Sequence, residues 1–190
     1  MELSVKAYLG LLLVVALLRI YELQISRWHQ REMVAQGASK VIDPVFRPMV
    51  LLHTGVLVGA GAEVIFLRRP FYPLLASVCF AIFLAANVIR WWVIRTLGDH
   101  WNVQVMNSTN MGVITTGPFR YVRHPNYAAV FVEMLVLPLI HCAWITAGVG
   151  SAAHLLILSR RIHTEEQVLL SDARYREAMY GKPRFLPGLF

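Results

Sequence analysis

The sequence predicts an all-α membrane protein with about five transmembrane helices. Hydrophobic residues make up 57% of the 190 residues and charged residues only 15%, and the mean hydropathy is +0.54. Such a balance is typical of a chain that is surrounded by lipid. Five helical spans of about 20 residues each occupy roughly 100 apolar positions. Little of the chain remains for a soluble domain, so we expect one integral-membrane domain over residues 1–190.

Three long apolar runs in residues 1–97 predict the first three spans. They cover about residues 3–23, 48–67 and 71–97. Each run is long enough to cross the roughly 30 Å hydrocarbon core of a bilayer as a helix. The first run starts close to the amino terminus and lacks a small-residue cleavage site. We therefore expect it to be retained as a span.

Two shorter apolar runs in the second half of the chain predict a tight helical hairpin. They cover residues 127–140 and 143–158. Each is shorter than the roughly 20 residues of a perpendicular span, but Asn126 and Ser159 can extend the two helices. Residues 160–180 are polar and still compatible with a helix. The last helix is therefore expected to continue into the cytoplasm, and a tail follows it.

The distribution of Lys and Arg predicts how the chain crosses the membrane. The formal net charge is +7, but the positive residues lie in short segments between apolar runs, which argues against a nucleic-acid partner. Short loops rich in Lys and Arg are typical of the cytoplasmic side. We therefore expect the amino terminus outside and the carboxyl terminus inside. This orientation places the loop 98–125 and the tail 160–190 on one cytoplasmic face.

The cysteines and the histidines outside the apolar runs do not predict a metal site. Cys79 and Cys142 lie within apolar stretches and lack the close spacing of metal ligands or redox pairs. His29 and His100 lie in polar segments without a ligand pattern. We expect packing roles for both cysteines and no bound metal.

A polar motif directly before the fourth predicted span is the first candidate for chemistry. Residues 117–127 read Gly-Pro-Phe-Arg-Tyr-Val-Arg-His-Pro-Asn-Tyr. Proline suits the first turn of a helix, so Pro125 places His124 at the helix mouth, where backbone N–H groups lack partners. Arg120 alone fits a topology signal. The complete motif has more polar groups than such a signal needs.

A second candidate lies just beyond the last apolar run. Arg161 and Glu165 share a helix face, and Glu166 follows. An exposed salt bridge between the first two would contribute only about 0.3 to 0.5 kcal/mol. However, the pair lies immediately past a span, on the same side as His124. The turn-rich residues 181–188 can fold back there as a lid.

These features resemble the isoprenylcysteine carboxyl methyltransferase family. The resemblance rests on the His124 motif, the adjacent glutamates and the closing Leu186-Pro187, and it covers roughly residues 97–190. It implies a pocket for S-adenosylmethionine, formed by the loop before the fourth span and closed by the tail. The chain departs from the family pattern at two places. Ala128-Ala129 stands where many relatives have a glycine after the tyrosine, which affects close packing around the cofactor. Residues 171–174 stand where relatives often have Phe-Gly, which affects the geometry of the lid.

The resemblance also implies roles for individual residues. It implies that His124, Pro125, Tyr127 and Glu166 contact the cofactor and that Arg161 lies at the methyl-transfer centre. The complete candidate cofactor set is Gly112, Val113, His124, Pro125, Tyr127, Glu165, Glu166, Leu186 and Pro187. The candidate catalytic residues are Arg161, Arg123 and Glu133.

The chemistry of methyl transfer agrees with an arginine at this centre. An arginine can hold a carboxylate through two parallel hydrogen bonds and stays protonated. A carboxylate acceptor needs no base, whereas a phenol, with a pKa near 10, does. Glu133, about six residues into a span, is either that base or a structural partner of Asn87, Arg90 or His154.

We therefore expect S-adenosylmethionine-dependent O-methylation of a lipophilic acceptor that enters from the membrane lipid. The resemblance implies a prenylated cysteine carboxylate as the substrate. An alternative acceptor is the hydroxyl of a long-chain polyketide lipid such as an alkylresorcinol or alkylpyrone. An alternative from another class is a non-catalytic membrane-binding protein that shares the fold.

Overall fold

The computed structural model describes residues 2–107 and 111–185, and most of these residues are helical. The helices are α1 (Leu3–Ala35), α2 (Phe46–Phe66), α3 (Pro73–Leu97), α4 (Pro125–Leu139), α5 (Trp144–Leu169) and α6 (Ala173–Met179). Two-residue strands β1 (Ser39–Lys40) and β2 (Met106–Asn107) pair antiparallel. Short 3₁₀ helices cover Gly98–His100 and Gly117–Arg120.

Three of these helices are long and apolar enough to cross a membrane, namely α1, α2 and the helix that begins at Pro73. Large side chains on their outer faces, such as Leu51 and Val58, are exposed, as expected of lipid-facing positions. The prediction of an all-α membrane protein is confirmed at this level. The shorter α4 and the polar-ended α5 fall outside this set of three, so the count of five spans stays a prediction.

The first helix is longer than its apolar run. It has 33 residues, which corresponds to roughly 50 Å at 1.5 Å per residue, against a hydrocarbon core of roughly 30 Å. Its last turns bury Ser26, His29 and Met33. His29 Nδ1 lies 2.8 Å from the Trp101 carbonyl oxygen. This extension of α1 therefore supports the loop that follows α3.

The predicted hairpin is formed by α4 and α5, which pack on α3 and α2. Glu63 of α2 anchors it, because its carboxylate accepts hydrogen bonds from the backbone N–H groups of Ile145 (3.1 Å) and Thr146 (2.7 Å) at the start of α5. An anion is favourable at a helix amino terminus. Arg69 completes the contact at 2.8 Å. The hairpin is thus tied to α2 at the end opposite the candidate site.

The main core lies between α1, α2, α3 and α4. Tyr8 and Leu12 of α1 pack there with Val64, Phe83 and Leu137. The other end of the bundle is covered by the paired strands, the loop after α3 and the chain after α5. This cover brings the segments 39–45, 101–107 and 117–127 together with α5, and it forms the candidate site.

Candidate active site

A cavity of about 430 Å³ runs from the loop cover into the helical bundle. Its polar end is lined by His124, Tyr127, Arg161 and Glu165. Its deeper wall carries apolar side chains from α1, α2, α3 and α4, including Leu23, Met49, Leu57, Val93 and Val130. One continuous space therefore joins charged groups to an apolar interior, a combination that fits an amphipathic ligand.

The motif before α4 adopts the predicted arrangement. Pro125 is the first residue of α4, and His124 precedes it as the N-cap. Both residues line the cavity. The buried His124 donates through Nε2 to Glu166 Oε1 at 3.0 Å, and its ring lies 5.4 Å from that of Tyr127. The prediction that a helix begins at Pro125 with His124 at its mouth is confirmed.

Glu166 is the centre of a group of basic side chains. Its carboxylate accepts hydrogen bonds from His124 and Arg184, the latter at 2.7 Å from Nη2, and lies 3.1 Å from Arg123 Nη1. Burial raises the pKa of this carboxyl, but the hydrogen bonds from His124 and Arg184 and the charge of Arg123 outweigh it and lower the pKa to about 2. Glu166 is not among the residues that line the cavity.

The carboxyl-terminal tail lies directly on the His124 loop. The backbone N–H of Arg123 donates to the Pro183 carbonyl oxygen at 2.9 Å, and that of His124 donates to the Arg184 carbonyl oxygen at 2.9 Å. Together with the contact between Arg184 and Glu166, these bonds fix residues 183–184 beside the cavity mouth. Leu186 and Pro187, which belong to the predicted cofactor set, lie outside the described residues.

Tyr127 links the two charged residues that line the polar end. Its hydroxyl donates to Glu165 Oε2 and accepts from Arg161 Nε at 2.9 Å. Glu165, Tyr127 and Arg161 therefore form a hydrogen-bonded row along the cavity wall. The row joins a carboxylate, a phenol and a guanidinium, so it can move a proton and orient an anionic or hydroxyl oxygen.

Arg161 is buried, with 3% of its surface exposed, and it is not an exposed salt-bridge partner of Glu165. Its Nη1 donates to Asp43 Oδ2 at 2.6 Å, and its Nη2 donates to the Val103 carbonyl oxygen at 2.5 Å. Asp43 was not among the site residues predicted from the sequence. The available signal was that Asp43 is the one acidic residue between Glu32 and Arg47.

Two cavity-lining side chains of the motif carry buried atoms without a hydrogen-bond partner among the described residues. They are Arg123, through Nε, and Asn126, through Oδ1. A buried polar atom without a partner is costly, and it marks a position where a ligand can supply the missing bond. Gly112 and Val113 also line the cavity, and Gly112 has a φ of 89° that favours glycine.

Glu133 lies away from the cavity lining, in a buried cluster of charges. Its Oε2 contacts Arg19 at 2.7 Å and Arg90 at 3.9 Å. Glu22 joins the same two arginines, at 2.7 Å from Arg19 and 2.5 Å from Arg90. These contacts favour the structural role for Glu133 over the role of a base. Arg90 was one of the expected partners of Glu133, whereas Arg19 was not.

Comparison with known proteins agrees with these features. The model of the isoprenylcysteine carboxyl methyltransferase family matches residues 78–171. The uncharacterized protein YpbQ of Bacillus subtilis (strain 168) is 26% identical over 151 residues, which cover 80% of this chain and 89% of that protein. An uncharacterized protein of Haemophilus influenzae is 29% identical over 153 residues, which cover 80% of this chain and 88% of that protein.

The fold is also found in a solved structure, that of the eukaryotic intramembrane Ras methyltransferase ICMT. The TM-score is 0.60 and the sequence identity is 22%, over 87% of this chain. This chain spans 62% of the length of that enzyme. This likeness shows the shared fold, and the family match over residues 78–171 supports the isoprenylcysteine carboxyl methyltransferase family for that part of the chain.

Proposed function

We propose that this protein is an S-adenosylmethionine-dependent O-methyltransferase that acts on a lipophilic acceptor. The observation that carries the proposal is the single cavity that joins the row Glu165–Tyr127–Arg161 to an apolar interior. A soluble cofactor and a membrane-dissolved acceptor need such a meeting point. The family whose model matches this chain is a family of membrane methyltransferases, and this match supports the same reaction class.

The residues at the polar end fit the functional groups of S-adenosylmethionine. Arg123, with its unpartnered Nε, suits the cofactor carboxylate, and Asn126, with its unpartnered Oδ1, suits a donor such as the cofactor amino group. The carboxylate of Glu165 lines the same end and favours the positive sulfonium. Pro125, Gly112 and Val113 would then provide the walls.

The bound cofactor supplies an electrophilic methyl group, and the protein has to align the acceptor oxygen with it and exclude water. Arg161 suits this alignment. Among the described residues, Tyr127, Asp43 and the Val103 carbonyl oxygen use three of its five N–H groups, which leaves two for the acceptor. Because Asp43 and Tyr127 fix the guanidinium, its orientation costs little when the acceptor binds.

Both acceptor classes remain compatible with this site. A carboxylate, as in a prenylated cysteine, would use Arg161 alone. A hydroxyl, as in an alkylresorcinol or alkylpyrone, has to lose its proton, and the Tyr127–Glu165 hydrogen bond offers a route for it. This contact is the observation that favours the second candidate. Glu165 therefore replaces Glu133 as the proposed base.

We also propose that the amino terminus is outside and that the site is cytoplasmic. The support is the excess of Lys and Arg in the segments next to the site, which include Arg120, Arg123, Arg160 and Arg184. A cytoplasmic site gives direct access to a soluble cofactor. The acceptor would arrive sideways, between the apolar helices.

The test is a methyl-transfer assay on detergent-solubilised protein with labelled S-adenosylmethionine and prenylcysteine, alkylpyrone and alkylresorcinol acceptors. Glu165→Gln should reduce turnover of hydroxyl acceptors much more than that of carboxylates, because only the hydroxyl needs a proton acceptor. Glu177→Gln, an exposed change in α6, is the matched control. Cofactor binding without any transfer would favour the non-catalytic alternative, and absence of cofactor binding would reject the proposal.

A further inference from the structure

A polar layer crosses the helical bundle below the candidate site. His53 lies seven residues from the loop end of α2, and Arg90 lies seven residues from the loop end of α3. His154 of α5 lies seven residues before Arg161. At about 1.5 Å per residue, these three residues lie at a similar depth, roughly 10 Å inside the bundle. All three line the cavity.

The two histidines of this layer have unused hydrogen-bonding atoms. His53 Nε2 and His154 Nδ1 are buried and have no hydrogen-bond partner among the described residues. The rings face each other edge-on, with centroids 5.3 Å apart, and only 2% of His154 is exposed. An unpartnered polar atom costs about 1 to 3 kcal/mol in a protein interior, and polar groups within a membrane are typically functional. The histidines therefore indicate a polar ligand group at this depth.

The charged cluster of Arg19, Glu22, Arg90 and Glu133 indicates that this ligand group is uncharged. The two cations Arg19 and Arg90 already contact the two anions Glu22 and Glu133, so the described charges of the cluster sum to zero. A further ion would have no free counter-ion at this depth, and an unpaired buried ion is costly. A neutral imidazole has one donor and one acceptor nitrogen, so a histidine pair matches a hydroxyl, ether or carbonyl oxygen.

We propose that His53 and His154 form a second subsite for an uncharged, oxygen-containing group in the chain of the lipophilic acceptor. The subsite lies roughly 10 Å deeper than Arg161, which orients the oxygen that is methylated. This inference rests on the proposed function and narrows its substrate class. The acceptor is then a lipid with a polar group part of the way along its chain, and a pure hydrocarbon chain would leave both histidines unpaired.

The experiment measures binding of hexadecanoic acid and of a positional series of monohydroxyhexadecanoic acids to the detergent-solubilised full chain. Isothermal titration with S-adenosylhomocysteine present gives each Kd. We expect binding to be about five- to tenfold tighter for a narrow range of hydroxyl positions, since one new hydrogen bond to a buried partner has this effect. His154→Phe and, separately, His53→Phe should remove that maximum.

Leu156→Phe, an exposed change two residues from His154, is the matched control and should keep the maximum. Retained binding of S-adenosylhomocysteine identifies variants that are folded. The subsite is rejected if the wild type binds all members of the series equally, if it binds none, or if both histidine variants keep the maximum. Methyl transfer with a flat binding profile would reject the subsite alone, and a positional maximum without methyl transfer to any acceptor would reject the proposed function alone.

Discussion

Replacing Glu166 by Gln removes the negative charge that holds the carboxyl-terminal tail beside the cavity. The carboxylate contacts Arg123, His124 and Arg184, at 3.1, 3.0 and 2.7 Å. Glutamine keeps one acceptor oxygen and presents an amide N–H₂ to the remaining donors. Losing a charge-assisted hydrogen bond costs about 1.5 to 3 kcal/mol, which corresponds to about 10- to 150-fold in an equilibrium constant. We expect cofactor binding to weaken by a factor in this range.

Two measurements separate this effect from general damage. Titration calorimetry gives the Kd for S-adenosylmethionine. Hydrogen exchange reports the backbone amides of Arg123 and His124, which should exchange faster because their acceptors, Pro183 and Arg184, are in the released tail. Unchanged Kd and unchanged exchange in the variant would refute the role of Glu166 in holding the tail.

The pH dependence of the same residue follows from its pKa. Burial raises the pKa of Glu166, but hydrogen bonds from His124 and Arg184 lower it from an ordinary 4.5 to about 2. A group with a lowered pKa stabilises the folded state fully above its unfolded pKa and loses that contribution as the pH falls through the folded pKa. The stability difference between the wild type and Glu166→Gln should therefore be constant above about pH 5 and shrink as the pH falls towards 2. Glu166 should not change the stability difference between the two proteins from pH 6 to pH 8.

The remaining predictions concern Arg161, its partner and the topology. Arg161→Lys should reduce turnover by about tenfold or more with little change in cofactor Kd, because lysine lacks the planar two-pronged contact of arginine. The control is Arg160→Lys, a change at an exposed neighbouring residue. Equal turnover in the two variants would reject the orienting role of Arg161. Asp43→Asn breaks a buried ion pair and should lower the free energy of unfolding in detergent by about 3 to 5 kcal/mol; an unchanged melting temperature would contradict this. Cysteines at Ser171 and Pro70 should react from the cytoplasmic and the opposite side, respectively, and labelling of both from one side would reject the topology.

The helices could be predicted from the sequence because apolar runs are local signals. The run 71–97 and the helix Pro73–Leu97 differ by two residues at one end. The first apolar run ends at residue 23, whereas α1 continues for twelve more residues, to Ala35, and the run does not predict this last part of the helix. The missing part is polar, and it is helical because Ser26 and His29 pack on the loop after α3. Tertiary contacts of this kind have no signature in hydropathy.

The candidate site was predictable where its residues are close in sequence. His124, Pro125 and Tyr127 form one motif, and Glu165 and Glu166 form another. Contacts between distant segments were not predictable in this way. The pair Asp43–Arg161 joins residues separated by 118 positions, and it depends on the pairing of β1 with β2, which brings the loop before α2 to the site. The buried pair Glu22–Arg90 has the same origin, although a charged residue within an apolar helix is itself a signal.

The adjacent glutamates have different positions because consecutive residues of a helix point about 100° apart. Glu165 follows Arg161 by four residues, so the two share the face that lines the cavity. Glu166 is turned towards His124 and Arg184 instead. The resemblance implied that Glu166 contacts the cofactor. In the structure, however, Glu165 lines the cavity and Glu166 does not. Glu166 would then act on the cofactor through the tail and His124, and Glu165 would act on it directly.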